Sequence, residues 1–155
     1  MGLEVVVLQR VRGIDPTAIV TGAHKYQRLI EVTSRALDAG IAAATVGNRI
    51  GDISAAIGDV AHAAGLKVNL DFGGHGVGTI MHGDPHIAND GRAGRGLPLR
   101  AGLVFAIEPW FMLGTKKLYT DEDGWTLRSA DGSRAAHFEH TVAVTDDGPV
   151  VLSAR

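Results

Sequence analysis

Cysteine is absent from the 155 residues. That one absence removes disulfide staples, a thiol nucleophile and thiolate zinc sites together. Aromatic residues are scarce at 5%, and charge is nearly balanced, with 15 Lys and Arg against 17 Asp and Glu. A net charge of -2 creates no field for a polyanion, so no nucleic-acid partner is expected. Long hydrophobic runs are missing too, because charge interrupts every apolar stretch before it reaches membrane-spanning length. The opening "MGLEVVVLQRVRG" lacks the order of a secretory signal: its VVVL run is short, and Arg10 and Arg12 follow it. Gly2 is not followed by the Ser or Thr of a myristoylation site. No membrane partner is expected, and the expected location is cytoplasmic. With no repeat, low-complexity tract or long linker, 155 residues and 16.2 kDa read as a single domain, 1–155, able to bury a core.

What the chain does contain falls into two textures. Residues 3–11 read as a strand and 12–24 as a Gly/Pro-punctuated connection. Within "HKYQRLIEVTSRALDAGIAAAT", Leu29, Val32, Ala36, Leu37, Gly40 and Ile41 recur at helical spacing. A second helix is predicted in "NRIGDISAAIGDVAHAAG", with the stripe Ile50, Ile53, Ile57, Val60 or Ala61, and Ala64. Asn48 is its expected N-cap and Gly65 its expected C-cap. Gly51 and Gly58 each cost this helix roughly 0.8–1 kcal/mol relative to alanine, so packing must carry it.

From residue 66 onward, glycine-rich loops separate short β-like runs at 103–111, 124–129, 137–145 and 149–153. In the third, Phe138, His140, Val142 and Val144 share one face, and Glu139, Thr141 and Ala143 the other. Two helices followed by a largely antiparallel sheet define an α+β protein, not an alternating α/β one.

The stretch "GGHGVGTIMHGDPH", residues 73–86, concentrates three histidines among five glycines. A dinucleotide loop would close a strand and open a helix, but Gly83 and Pro85 forbid that helix, and no Lys-Ser/Thr pair completes a P-loop. His82 and His86 have the spacing of a helical zinc motif, yet Pro85 again breaks the helix and Gly83 stands where the glutamate belongs. A metal site assembled from separated segments fits better. His75 lies between two glycines, Glu108 inside the apolar run Val104–Phe111, and Glu139 between Phe138 and His140. Carboxylates are almost never buried unpaired, because desolvation costs several kcal/mol. A glutamate in each of two core-like strands therefore wants a cation, with His75 a natural third ligand. The competing reading stays open: either glutamate faces solvent from an edge strand, or pairs with Arg128 or Arg134.

The segments "DFGGHGVGTIMHGDPHI", "LRAGLVFAIEPWF" and "GWTLRSADGSRAAHFEHTVAVTDDG" together resemble the C-terminal half of type I methionine aminopeptidases. The resemblance runs from about residue 24 to 153, in order and with matching intervals; residues 1–23 diverge. It implies part of a "pita-bread" fold, in which two pseudo-symmetric α+β halves clasp a dinuclear metal site. It also implies removal of the initiator methionine from nascent proteins, with N-terminal methionyl peptides as partners. Carried over by motif, His75, Glu108 and Glu139 match metal ligands, and His82 matches the catalytic histidine that contacts the substrate's peptide group. Met81, Trp110 and Trp125 match positions that line the methionine pocket or the apolar wall of the site. The implied cofactors are divalent ions (Co, Mn, Fe, Zn or Ni), two per site in the family and fewer possible here.

Two local departures are Gly83, in place of the family's usual glutamate, and Met81, where phenylalanine is common. The larger departure is upstream. The family draws two aspartates and a further histidine from its N-terminal half, whereas residues 1–23 offer only Glu4 and Asp15 as acids. Three of five implied metal-binding side chains remain, so low or absent activity is expected of the chain alone. Alternatives are a non-catalytic remnant or interaction protein that associates with itself or with a separate N-terminal half, and a single-metal hydrolase using His75, Glu108 and Glu139.

Overall fold

A computed structural model describes residues 26–154. The expected strand at 3–11 and connection at 12–24 lie outside the described residues. Both predicted helices are present: α1 spans Gln27–Ala43 and α2 spans Ile50–Ala64. Helix α1 buries Leu29, Val32, Ala36, Leu37 and Gly40, the predicted face except for half-exposed Ile41. Helix α2 buries Ile50, Ile53, Ile57 and Ala61. Gly40 lets the two helices and the sheet close together, since a Cβ there would sit 2.9 Å from Ile57 Cγ1 and 3.1 Å from Ile107 Cγ2.

Helix α2 starts one residue later than expected. Arg49, not Asn48, is the N-cap, and its N–H donates to Asp52 Oδ2 at 2.7 Å, while the Asn48 side chain instead donates to the Ala43 carbonyl at 2.9 Å. An acidic side chain at the third helical position satisfies this end as a capping Asn would have done. Gly65 closes the helix in the left-handed region, as expected, with φ 70°.

Ten short strands follow: β1 Lys67–Val68, β2 Gly74–Gly76, β3 Gly83–Ile87, β4 Val104–Ile107, β5 Trp110–Met112, β6 Leu118–Thr120, β7 Leu127–Ser129, β8 Ala135–His137, β9 His140–Thr145 and β10 Gly148–Val151. All described pairings are antiparallel. They form a five-stranded sheet β10-β9-β4-β2-β3, a three-stranded sheet β1-β5-β8 and the hairpin β6-β7. The α+β expectation holds.

Two expected strands are each divided. The 103–111 run splits into β4 and β5, and the 137–145 run into β8 and β9. Pro109 has no N–H to give a ladder, and the two pieces of each run join different sheets. The register nevertheless stays constant across the gap. Ile107 faces His140 on one side and Trp110 faces His137 on the other. The Phe138 N–H still donates to the Pro109 carbonyl, at 3.3 Å. Glu108 and Glu139 therefore occupy opposed positions on one interrupted antiparallel ribbon.

The helices and both larger sheets share one apolar core that includes Ile53, Ile57, Ile87, Phe105, Ile107, Phe111 and Val142. Each such large side chain contributes about 1.5–3 kcal/mol on burial. Trp110, Met112 and Ala135 form a second cluster, with Leu118 and Leu127 of the hairpin against it. Among the described residues no helix is long and apolar enough to cross a membrane.

Gly51 illustrates packing overriding propensity. A Cβ there would lie 2.2 Å from the Arg92 carbonyl oxygen and 2.7 Å from that of Arg95. Gly51→Ala is expected to lower stability by roughly 1–3 kcal/mol through overpacking, although alanine raises intrinsic helix propensity by about 1 kcal/mol. Urea unfolding midpoints check this, and a midpoint shifted upward contradicts the close approach.

Candidate metal centre

The site is built where the ribbon changes sheets. Glu108 follows β4, and Glu139 precedes β9. Neither glutamate side chain is free in solvent, and Glu108 is only 13% exposed. Opposed positions on an antiparallel pair share a face, so two carboxylates meet there, an arrangement that is destabilising unless a cation intervenes. Arg128 is paired with Asp121, and the Arg134 guanidinium lies 5.6 Å from the centroid of the Tyr26 ring. The partners that the structure gives Glu108 are instead two imidazoles. His75 Nε2 lies 3.4 Å from Glu108 Oε1, and His137 Nε2 lies 3.4 Å from Glu108 Oε2.

His75 is held from β2 by backbones packed closely on both sides. A Cβ at Gly74 would meet the Ala106 carbonyl oxygen at 2.2 Å, and one at Gly76 would meet that of Asp84 at 2.0 Å. Only glycine allows strands β3 and β4 to approach this closely. The β2–β3 register shifts between His75 and Gly76, a bulge that re-aims the imidazole. His75 Nδ1 is 3.1 Å from the Gly76 carbonyl, which can only accept, so Nδ1 carries the proton. In the neutral ring this leaves the Nε2 lone pair turned toward a carboxylate oxygen, and a shared cation resolves that contact.

Two buried asparagines brace the surrounding loops. Asn89 Nδ2 donates to the Glu108 carbonyl at 3.0 Å and to that of Phe72 at 3.4 Å. Asn69 Oδ1 accepts from the N–H groups of Asp71 and Phe72 at 3.1 and 3.0 Å, just before β2 begins.

Of the expected ligands the structure brings Glu108 and Glu139 together and sets His75 beside Glu108, but the third member of the cluster is His137 rather than His75. One ligand atom from each of Glu108, His137 and Glu139 lies within 4.8 Å of the other two. His82 joins from the loop before β3, its ring 4.4 Å from that of His75. Because Gly83–Ile87 is a strand, His82 and His86 have no helical face on which to pair. Trp110 is buried behind the site, stacked on His137 at 5.0 Å and tilted against Phe72 at 5.3 Å. Met81 is 71% exposed.

Trp125 is 88% exposed in the turn between β6 and β7. Nothing among the described residues ties it to the carboxylates. Asp123 orders that turn by accepting hydrogen bonds from the N–H groups of Trp125 and Thr126 and from the Thr126 hydroxyl. Those donors, with the Thr126 side chain foremost, hold the Asp123 carboxyl down at about 2.

His137 and Asn89 were missed in the sequence. For His137 the signal was present, because it lies two residues before Glu139 and so shares its strand face. Asn89 has no such signal, since its partners come from distant loops.

Residues 14–146 match metallopeptidase family M24, and the chain belongs to that family. Methionine aminopeptidases are among its similar relatives. It is 52% identical over 133 residues to methionine aminopeptidase 1 of Mycobacterium tuberculosis, covering 82% of this chain and 50% of that protein. To methionine aminopeptidase of Aquifex aeolicus it is 46% identical over 134 residues, covering 85% of this chain and 52% of that one. The crystal structure of the Thermotoga maritima methionine aminopeptidase superposes with a TM-score of 0.82 at 40% identity, over 85% of this chain and 53% of that one. The fold is thus part of the pita-bread fold, and the chain spans about half the length of the curated relatives it matches.

If a cation relieves the facing carboxylates, Glu139→Gln should leave the melting temperature in EDTA unchanged or higher. Excess Co²⁺ at ~100 times Kd should stabilise the parent chain by about 2.7 kcal/mol and the variant far less. Thermal melts with and without metal decide it, and equal metal stabilisation of both proteins contradicts the site.

Proposed function

We propose that this chain, a single domain over 1–155, forms the C-terminal half of a methionine aminopeptidase site and takes part in removing N-terminal methionine from nascent proteins. The observation that carries the reading is the pair of glutamates opposed on one ribbon, with His75 beside Glu108. The names of its relatives support the substrate. His75, Glu108 and Glu139 would hold divalent metal. Two carboxylates and an imidazole suit Co, Mn, Fe, Zn or Ni, and the otherwise unrelieved carboxylate pair fits such an ion. Bound there, divalent metal lowers the pKa of water and neutralises negative charge developing on the scissile carbonyl.

The chain's own residues supply orientation and polarity. His82, exposed and tilted against His75, would donate a hydrogen bond to the substrate's peptide group. Such a donor contributes about 2.7–4 kcal/mol when it acts on charge formed in the transition state. Exposed Met81 offers a deformable apolar wall to a thioether side chain. Trp110 backs the site from inside, keeping the dielectric low behind the carboxylates. Trp125, on its ordered turn, presents its indole for substrate. Nascent-chain substrates place the reaction in the cytoplasm. Exposed Leu70, Ile80 and Met81 provide apolar surface for a second copy or for a separate N-terminal half.

Methionine release from a Met-Gly peptide tests the reading. The chain alone with Co²⁺ is expected to release methionine slowly or not at all. Addition of the N-terminal half of the Aquifex aeolicus relative should restore metal-dependent release. That activity should vanish in Glu139→Ala and fall roughly 10²–10³-fold in His82→Ala. A folded, metal-loaded mixture that releases no methionine contradicts the proposal.

A further inference from the structure

We propose that His137 is itself a metal ligand, so that this chain holds one divalent ion with Glu108, His137 and Glu139 and needs no carboxylate from elsewhere to do so. The inference rests on the metal-binding part of the proposed function and extends it to a residue outside the ligand set carried over by motif.

Four observations converge. First, His137 is 5% exposed, and its Nε2 makes no hydrogen bond. A buried polar nitrogen left without a partner is destabilising and calls for an explanation. Second, that nitrogen faces Glu108 Oε2 at 3.4 Å, too long for a good hydrogen bond. The distance instead suits two atoms that share an ion: bonds of about 2.1 Å at a tetrahedral angle put neighbouring ligand atoms about 3.4 Å apart. Third, the ring is held from behind. Trp110 stacks on it with a 24° interplanar angle, and the Trp110–His137 backbone pair fixes its strand. Fourth, strand alternation puts His137 on the same face as Glu139, and the ligand atoms of Glu108, His137 and Glu139 lie within 4.8 Å of one another.

His75 meets the other carboxylate oxygen of Glu108, so the two imidazoles flank that carboxylate. One nitrogen and two oxygens from protein, with a further position left for solvent, is a common arrangement for a reactive zinc or cobalt ion. The inference therefore gives the chain a single-ion centre of its own, distinct in composition from a cage completed by upstream aspartates.

The test is equilibrium binding of Co²⁺ to the purified 155-residue protein, with Glu139→Gln, His137→Gln and the surface variant His62→Ala alongside. The parent and His62→Ala are expected to bind one equivalent tightly. His137→Gln should weaken that equivalent by more than ~100-fold, beyond what loss of an outer partner costs, while its circular dichroism in EDTA stays that of the parent. Isotope-labelled histidine spectra of the parent, recorded with and without Zn²⁺, read ligation without any variant: the His137 Nε2 resonance should shift on binding. Tight binding retained in His137→Gln, or an unshifted His137 resonance beside a bound ion, overturns the inference and leaves the Glu108–Glu139 metal site standing. No binding by the parent overturns both.

Discussion

Two carboxylates facing each other on one antiparallel ribbon set the terms for the rest of this structure. The ribbon runs through β4–β9, is interrupted for two residues on each side, and resumes as β5–β8 in the same register. An uninterrupted ladder would have kept its strands in one sheet. The break at Glu108-Pro109 and Phe138-Glu139 lets one ribbon serve two sheets, and both glutamates sit at that transfer point. Their mutual repulsion is tolerable there only because a cation can be shared between them and the imidazole nitrogen donors beside Glu108. The glycines around His75, the bulge in β2 and the Asn89 bridge to Glu108 all serve to bring those donors within reach.

Much of this was legible from residue patterns. Helical spacing located α1 and α2 to within a few residues, and Gly65 marked the end of α2. Glu108 and Glu139 stood out as acids inside apolar runs, and the glycines beside His75 signalled close backbone approach. What could not be read was tertiary. Nothing local says that 103–111 and 137–145 would pair with each other in one register, nor that Pro109 would divide the first into strands of different sheets. The strands β1 and β2 are two or three residues long, too short for periodicity to register. Arg49 took the cap because Asp52 could reach back, a choice that depends on one side chain three positions on. His137 was hidden by the prominence of its neighbours, and only geometry shows its nitrogen against Glu108.

Family membership and coverage together frame the chemistry. The chain belongs to family M24, yet it matches only about half of each relative. In the proposed reading, a half that carries its own imidazole in addition to the shared ligands can bind metal before any second half is present. Binding and catalysis then become separable properties. The first requires only the ribbon and its histidines, and the second requires substrate positioning on both sides of the site.

The most direct measurement is anomalous X-ray scattering from crystals of this protein grown with cobalt. The account predicts an anomalous peak between the facing glutamates, about 2.0–2.2 Å from oxygens of Glu108 and Glu139 and about 2.0–2.1 Å from an imidazole nitrogen. A well-ordered crystal with Glu108 and Glu139 in place and no peak between them would contradict it.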